Sequence, residues 1–515
     1  MFINLQKLSH KSKKRLGKFF IAFLLVFTFA IFYFKAYVFL DPDFGWHLTT
    51  GRLILSDGVP PVDPFSYTMP SYPYVDHAWL TDVFLAVAYP NLGKLGLAFV
   101  FAVMGLLPVY LIFKQYEKRL VKDKFFLLSL LVLYIGIAIP FSGIRTQVLS
   151  WTFFTSVLLI CVNSKRWVKS RQWLPLIMLL WANSHGSFFL GILCIATAVF
   201  VNAVIQKKFS LGDFYVLLLS LGICVVNPYG FGLLKEVLDT VSSSILNVRI
   251  EEWKPGYKVF SMPALTLIVF ASSLIYRFRT KISVVGSVLF FFLVYQWFFS
   301  VRHLPLFGIS AIILLCEGIE VFKKDISRIP KAIERLLVFE KIMFLVTIFV
   351  TFFHVIPHLF SASDFSEENF YPKQAIEYLS KNHPEGNVFS EYGWGGYLIW
   401  KYPEKKVFID GRMAVWLQRD VDKAESSQAM KDYVEILDGI LHFKSTFARY
   451  DIDTVLWPKR KIQVKDETPK KSELVERIRN YIGMPESYYN FTDDLERNNW
   501  KRVYEDEIAV IYKKG

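Results

Sequence analysis

Residues 19–48 read FFIAFLLVFTFAIFYFKAYVFL followed at once by DPDFGWHL, and this stretch decides the class of fold. Its first part, residues 19–40, exceeds the roughly 20 apolar residues with which an α-helix crosses a hydrocarbon layer. Basic residues between 7 and 18 precede it, and no small-residue cleavage signature follows. It therefore reads as a retained membrane helix with a cytoplasmic amino terminus. Two carboxylates and a Trp-His pair come directly after it, where the chain leaves the membrane. The whole chain has 515 residues, is 53% hydrophobic and only 20% charged, and has a mean hydropathy of +0.35. That composition excludes a purely soluble enzyme.

Working outward, further spans fit at 93–113, 125–140, 146–162, 172–183, 186–205, 211–226, 262–276, 282–299, 304–322 and 340–359. With the first, about eleven transmembrane helices are expected. An odd count with the amino end inside puts the carboxyl-terminal part outside. Basic clusters at 114–124, 165–171, 207–208, 277–281 and 323–341 all fall on the inner side of this count, as the positive-inside tendency requires. The excess of positive charge behind the net +14 thus lies in the membrane part, residues 361–515 being net negative, and it reports orientation. A nucleic-acid partner is not expected, because such a partner would gather the basic residues on one domain. Cys161, Cys194, Cys224 and Cys316 all lie in apolar segments, which suggests neither disulfides nor a cysteine metal site.

The expected organisation is a membrane domain over residues 1–360, with outer segments at 41–81 and 227–261, and an extracytoplasmic α/β domain over 361–515. Residues 44–55 read as a short amphipathic interfacial helix capped by Asp43. The carboxyl part alternates helix signals near 371–380, 426–439 and 471–480 with strand signals near 387–390, 406–409, 453–457 and 507–512. It contains no glycine-rich nucleotide loop and no HExxH or G-x-S-x-G motif.

Chemistry-bearing residues cluster on the expected outer face. Asp41 and Asp43 are two positions apart, and His47 is one helical turn beyond Asp43. Such a group suits a general base at the membrane surface or a divalent cation such as Mg or Mn. Helix capping plus a solvated loop accounts for the same spacing. Asp76 and His77 form a second acid/base pair, equally compatible with packing. Arg145, His185, Arg302 and His303 fall at outer ends of spans, where two arginines from different helices suit a lipid phosphate and where interfacial snorkelling is the plain alternative. In the carboxyl domain, glycines between Tyr392, Trp394 and Tyr397 allow a close turn with flat aromatic faces, and Asp410 and Arg412 add polar contacts. That surface suits a sugar or a peptide, or a tight structural turn.

These residues also carry a resemblance. Asp41-x-Asp-x-x-Trp-His-Leu, Arg145-Thr-Gln, Trp181-Ala-Asn-x-His-Gly, Asn227-Pro-Tyr-Gly, Glu252-Trp253, Arg302-His303 and the Gly-Tyr-Leu-Ile-Trp and Ile-Asp-Gly-Arg segments resemble a group of bacterial membrane proteins. The group is related to polyprenyl-phosphate-sugar-dependent (GT-C type) glycosyltransferases, and the resemblance covers nearly the whole chain. It implies an acidic residue of the first outer loop near the acceptor or a metal, which here means Asp41 and Asp43. The Tyr392-Gly-Trp-Gly stretch is distantly similar to the Trp-Trp-Asp-Tyr-Gly motif of oligosaccharyltransferase catalytic subunits, with Ser390-Glu391 in place of the Trp-Trp-Asp lead-in.

The implied function is hexosyl or pentosyl transfer from a polyprenyl-phosphate-linked sugar to an extracytoplasmic glycan, lipid or protein, in the cytoplasmic membrane and among membrane lipids. Asp43, Asp41 and His77 are the expected catalytic set. Glu252, the arginines and the remaining histidines are expected to bind substrate. Two other classes compete. A non-enzymatic scaffold or export partner in envelope assembly would bury the same carboxylates in salt bridges, whereas a secondary transporter would show an inverted repeat, and none is seen.

Overall fold

The computed structural model describes residues 10–120, 124–205, 207, 210–242, 251–259, 261–326, 330–418, 425–459 and 490–515. Every apolar run of the sequence is helical in it. Hydrocarbon offers no water to satisfy backbone amides, so the helix is the forced solution. Five described helices are long and apolar enough to cross a membrane singly: Lys18–Val38, Trp79–Tyr116, Gly186–Ile205, Val301–Ile319 and Lys341–Phe365. Gln147–Cys161 and Ser164–Ser184 pass only as a pair, bent by 109° where they join. Phe126–Phe141, Leu211–Ile223, Met262–Phe278 and Val284–Phe299 are apolar but shorter. The chain is a multi-pass membrane protein. Large side chains left exposed along these helices, such as Phe23 and Phe27 on the first and Phe349 and Phe353 on the last, are what lipid would cover.

The segment after the first helix, α1 (His10–Val38), departs from the sequence reading. Helix α2 (Phe44–Asp57) forms, but its first half is buried and Trp46 is only 5% exposed. It is not an interfacial helix with its tryptophan at the surface. Asp43 precedes α2 without a side-chain capping bond, because its carboxylate is engaged elsewhere. Helix α3 (Trp79–Leu120) starts well before residue 93 and breaks at Gly93, whose φ of 60° favours glycine.

Gly51 sets the closeness of α2 and α3, since a Cβ there would lie 1.9 Å from the Asp82 carbonyl oxygen. Gly51→Ala is therefore expected to push the helices apart and cost about 1–3 kcal/mol. Thermal unfolding of the purified variant checks this, and an unchanged midpoint would refute it.

The chain divides into two compact units, Met1–Val59 with Val75–Ser366 and Pro60–Tyr74 with Glu367–Gly515. The second contains a four-stranded sheet in the order β1-β4-β6-β5, with β1 (Asn387–Ser390) parallel to β4 (Ile452–Pro458). Strands β5 (Trp500–Glu505) and β6 (Ala509–Lys514) continue it antiparallel, and β2 (Leu417–Gln418) pairs separately with β3 (Glu425–Ser426). Helices Lys373–Asn382 and Gln428–Leu437 form where expected, and the first buries Ala375, Ile376 and Leu379 on one face. The strand expected at 406–409 is only an isolated bridge from Val407 to Ser66. The helix expected at 471–480 lies outside the described residues.

Residues 60–74 belong to the second unit because that bridge, Tyr67 Oη donating to the Val388 carbonyl (2.9 Å) and Thr68 Oγ1 donating to the Phe408 carbonyl (2.7 Å) stitch them there.

Candidate functional site

Four segments of the first unit bring most of the expected residues together. Asp41 Oδ1 accepts the Asp43 backbone N–H (2.9 Å), and Asp43 Oδ1 accepts the Trp46 indole N–H (2.9 Å). Asp43 is half-buried and has no ion partner among the described residues. Burial, and then the neighbouring Asp41, push its pKa up to about 6, while His47, Trp46 and Arg145 oppose the rise. An Asp43 carboxylate is thus a stronger base than an ordinary one and is still mostly ionised at pH 7.

Arg145 comes from the turn before Gln147–Cys161. Its Nε lies 2.6 Å from Asp41 Oδ2, and its other arm pairs with Glu252. Burial alone would lower the Arg145 pKa and raise that of Glu252. The opposite charges win: Asp41 and then Glu252 raise the first, and Arg145 and then Arg302 lower the second, so both stay charged. Backbone contacts tie the Glu252 segment to the next turn, where Val301 N–H donates to the Lys254 carbonyl (2.9 Å).

At that turn Arg302 sits with its guanidinium carbon 5.1 Å from the centre of the Trp253 ring, and His303 is its neighbour. Among the described residues no carboxylate lies within ion-pair distance of Arg302. Of the two arginines, then, Arg145 is engaged by two carboxylates, whereas Arg302 forms no ion pair among the described residues.

A second group lies under α2. His47 Nδ1 is 2.6 Å from Asp82 Oδ1, and the His47 and Trp46 rings stack with centroids 3.6 Å apart. Asp76 is buried beside Asp82 and accepts the Ala78 N–H (2.8 Å). Burial and then Asp82 raise the Asp76 pKa well above the usual carboxylate range. His77 meets the His185 ring edge-on at 5.7 Å. Burial, His47 and Arg302 hold the His77 pKa down to about 3, so it stays neutral and is a poor proton acceptor. His185 Nδ1 accepts the Ser187 N–H (3.2 Å) and lies 2.9 Å from Ser187 Oγ. Asp82 escaped the sequence reading because it stands inside an otherwise apolar helix.

The second unit treats its expected contact residues differently. Trp394 is 2% exposed, and its indole N–H donates to the Phe370 carbonyl (2.9 Å), so it is a core residue and offers no stacking face. Tyr392 is half-buried, its N–H bonded to Tyr433 Oη (2.9 Å). Asp410 and Arg412 are buried together with Asp63. Arg412 donates to Asp63 Oδ1 at 2.7 Å and to Asp410 Oδ1 and Oδ2 at 2.8 and 2.7 Å. The rings of Phe65, Tyr74 and Trp416 surround its guanidinium at 5.0–5.4 Å. That arrangement fastens 60–74 to the sheet and leaves Asp410 and Arg412 no free face for a ligand. Nearby Glu391, missed in the sequence, has a pKa raised to about 7 by burial despite the N–H groups of Gly393 and Trp394.

Among the described residues no three His, Cys, Asp or Glu side chains converge in metal-ligand geometry. The positive charge beside Asp41 is instead the Arg145 guanidinium.

No protein-family model matches the chain, and no curated protein matches it. Solved structures do. One is the archaeal oligosaccharyltransferase AglB from Archaeoglobus fulgidus, in complex with an inhibitory peptide and a dolichol-phosphate. Its TM-score is 0.46 at 13% identity over 85% of this chain and 69% of that one. Another is ArnT from Cupriavidus metallidurans bound to undecaprenyl phosphate, with a TM-score of 0.46 at 10% identity over 96% and 97% of the two chains.

Proposed function

We propose that the chain is a membrane glycosyltransferase that moves a sugar from a polyprenyl-phosphate donor to an acceptor on the outer side of the cytoplasmic membrane. The observation that carries this reading is an unpaired base and an unpaired cation in one electrostatic neighbourhood. Asp43 and Arg302 each lack an ion partner among the described residues, and Arg302 feels the charges of Glu252, Arg145, Asp43 and Asp41. Asp43 takes the proton of the acceptor hydroxyl as its oxygen attacks the anomeric carbon. The bond from that carbon to the phosphate oxygen breaks, and Arg302 meets the charge that develops on the leaving phosphate. One displacement inverts the anomeric centre. Asp41, Arg145 and Glu252 hold the loop that presents Asp43. The amino terminus would face the cytoplasm, as the basic clusters favour.

A scaffold role draws its support from Asp41 and Asp410, both held in ion pairs. Arg302 separates the two readings. Arg302→Met is expected to weaken binding of polyprenyl phosphate by about 10- to 100-fold, the worth of one or two charge-assisted hydrogen bonds. Binding to the purified protein measures it. Equal affinity in wild type and variant removes Arg302 from the site, and absence of both binding and sugar transfer in the wild type removes the enzyme reading.

A further inference from the structure

The segment from Val226 to Ser242 plays no part in the transfer mechanism, yet it carries an apolar side that the described residues leave exposed. It follows the apolar helix Leu211–Ile223, whose Tyr215, Leu219 and Leu221 stand out as on a helix that faces lipid. Val226 is exposed in the same way, and there the chain folds back. Asn227 Oδ1 accepts the Tyr229 N–H (2.8 Å), the Asn227 carbonyl accepts the Gly230 N–H (3.3 Å), and Gly230 has a φ of 54°. Helix Gly232–Ser242 starts at once, and the Lys235 N–H donates to the Phe231 carbonyl (3.2 Å), which makes Phe231 part of its first turn.

This helix is amphipathic, but its apolar side is not turned toward the protein. Leu233 and Glu236 are its buried residues, and it packs against the turn Gly186–Phe188. Phe231 is 76% exposed and Leu238 67%, with Leu234 half-buried. At about 100° per residue these three share one side of the helix, nearly opposite Leu233 and Glu236. A helix of a water-facing domain does the reverse, burying leucine and phenylalanine and exposing glutamate. Lys235, also exposed, borders the apolar side.

We propose that helix Gly232–Ser242 lies flat in the headgroup region of the bilayer, with Phe231, Leu234 and Leu238 among acyl chains and the Lys235 ammonium at lipid phosphates. Lipid is the occupant because the surface continues one that faces lipid already. Only the tight turn Asn227–Gly230 separates Phe231 from Val226 and the helix before it. A lysine at the edge of an apolar side is also the pattern of interfacial helices, its stem lying on hydrocarbon while its charge reaches phosphate. The sequence placed such a helix at 44–55, where the residues prove to be buried; the surface that role needs is here instead.

The test is spin labelling of the purified full chain in nanodiscs of phosphatidylcholine and phosphatidylglycerol, and it involves neither sugar transfer nor its residues. Cys161, Cys194, Cys224 and Cys316 are buried, so an introduced surface cysteine takes the label selectively. Oxygen concentrates in hydrocarbon and a water-soluble nickel chelate stays out of it. The ratio of oxygen to chelate accessibility should therefore be several-fold higher for labels on Phe231→Cys and Leu238→Cys than for a label on Asp239→Cys, which lies toward the polar side. Two apolar positions keep the readout if one variant does not fold. Equal ratios at the three positions overturn the proposal. Shielding of positions 231 and 238 from both reagents overturns it too. In discs that hold one chain such shielding assigns the apolar side to the chain's own residues, and if it arises only in discs that hold two, to a second copy.

Discussion

Asp43→Asn is expected to lower sugar transfer by about 10²–10⁴, the range that a positioned base contributes. Asparagine keeps the length of the side chain and an oxygen for the Trp46 indole, so the loss reports the carboxylate alone. Stability should not fall with it. The folded pKa of about 6 lies above the unfolded value near 3.9. The stabilisation from protonating Asp43 is therefore fully present below about pH 4 and lost as pH rises through about 6. At pH 7 the ionised carboxylate is a burden on the fold that asparagine relieves, so the variant should unfold no earlier than wild type. Activity runs the opposite way with pH, since only the ionised form accepts a proton, and wild-type rates should drop as pH falls through about 6. Full transfer by the variant, or an acid limb near 4, would sink the assignment.

Arg412→Met should give the largest loss of stability. It leaves Asp63 and Asp410 buried without their cation, a change that costs about 3–5 kcal/mol. Lysine would rescue it poorly, because one ammonium cannot reproduce the fork that reaches both carboxylates or lie flat among three rings. A cycle of variants isolates the charge: adding Asp63→Asn and Asp410→Asn to Arg412→Met should restore part of the loss. Thermal unfolding that is unchanged in Arg412→Met, or additive losses around the cycle, would show that the triad is incidental.

These two sites differ in how far they could be read from sequence. The apolar runs were legible because hydrocarbon leaves the backbone only one local solution, and each of them is helical. Strand β1 and helices Lys373–Asn382 and Gln428–Leu437 were legible for a similar reason, since their apolar periodicity faces one core. Ends were not. The helix from Trp79 begins among residues that also suit a loop, and only Gly93 marks the break inside it.

Asp41, Asp43 and His47 stood out by local spacing. Their pairings did not, because Asp82, Arg145 and Glu252 reach them from three distant segments, and Asp82 was not singled out at all. Trp394 and Arg412 looked like a binding surface since aromatic and charged residues beside glycines serve recognition and core turns alike. Burial decides between the two uses, and it depends on 60–74, a segment some 300 residues away.

That segment has a consequence for how the protein is made. Residues 60–74 leave the ribosome long before Glu367–Gly515, with which they share a unit. At roughly 5–20 residues per second, Asp63 waits about 17–70 s for Arg412. Synthesis therefore finishes nearly all of the membrane part before the second unit can close. Separate production of residues 367–515 would also omit a piece of that unit's interior. The two units are distinct as bodies, yet in translation the second cannot be completed until the whole of the first has been made.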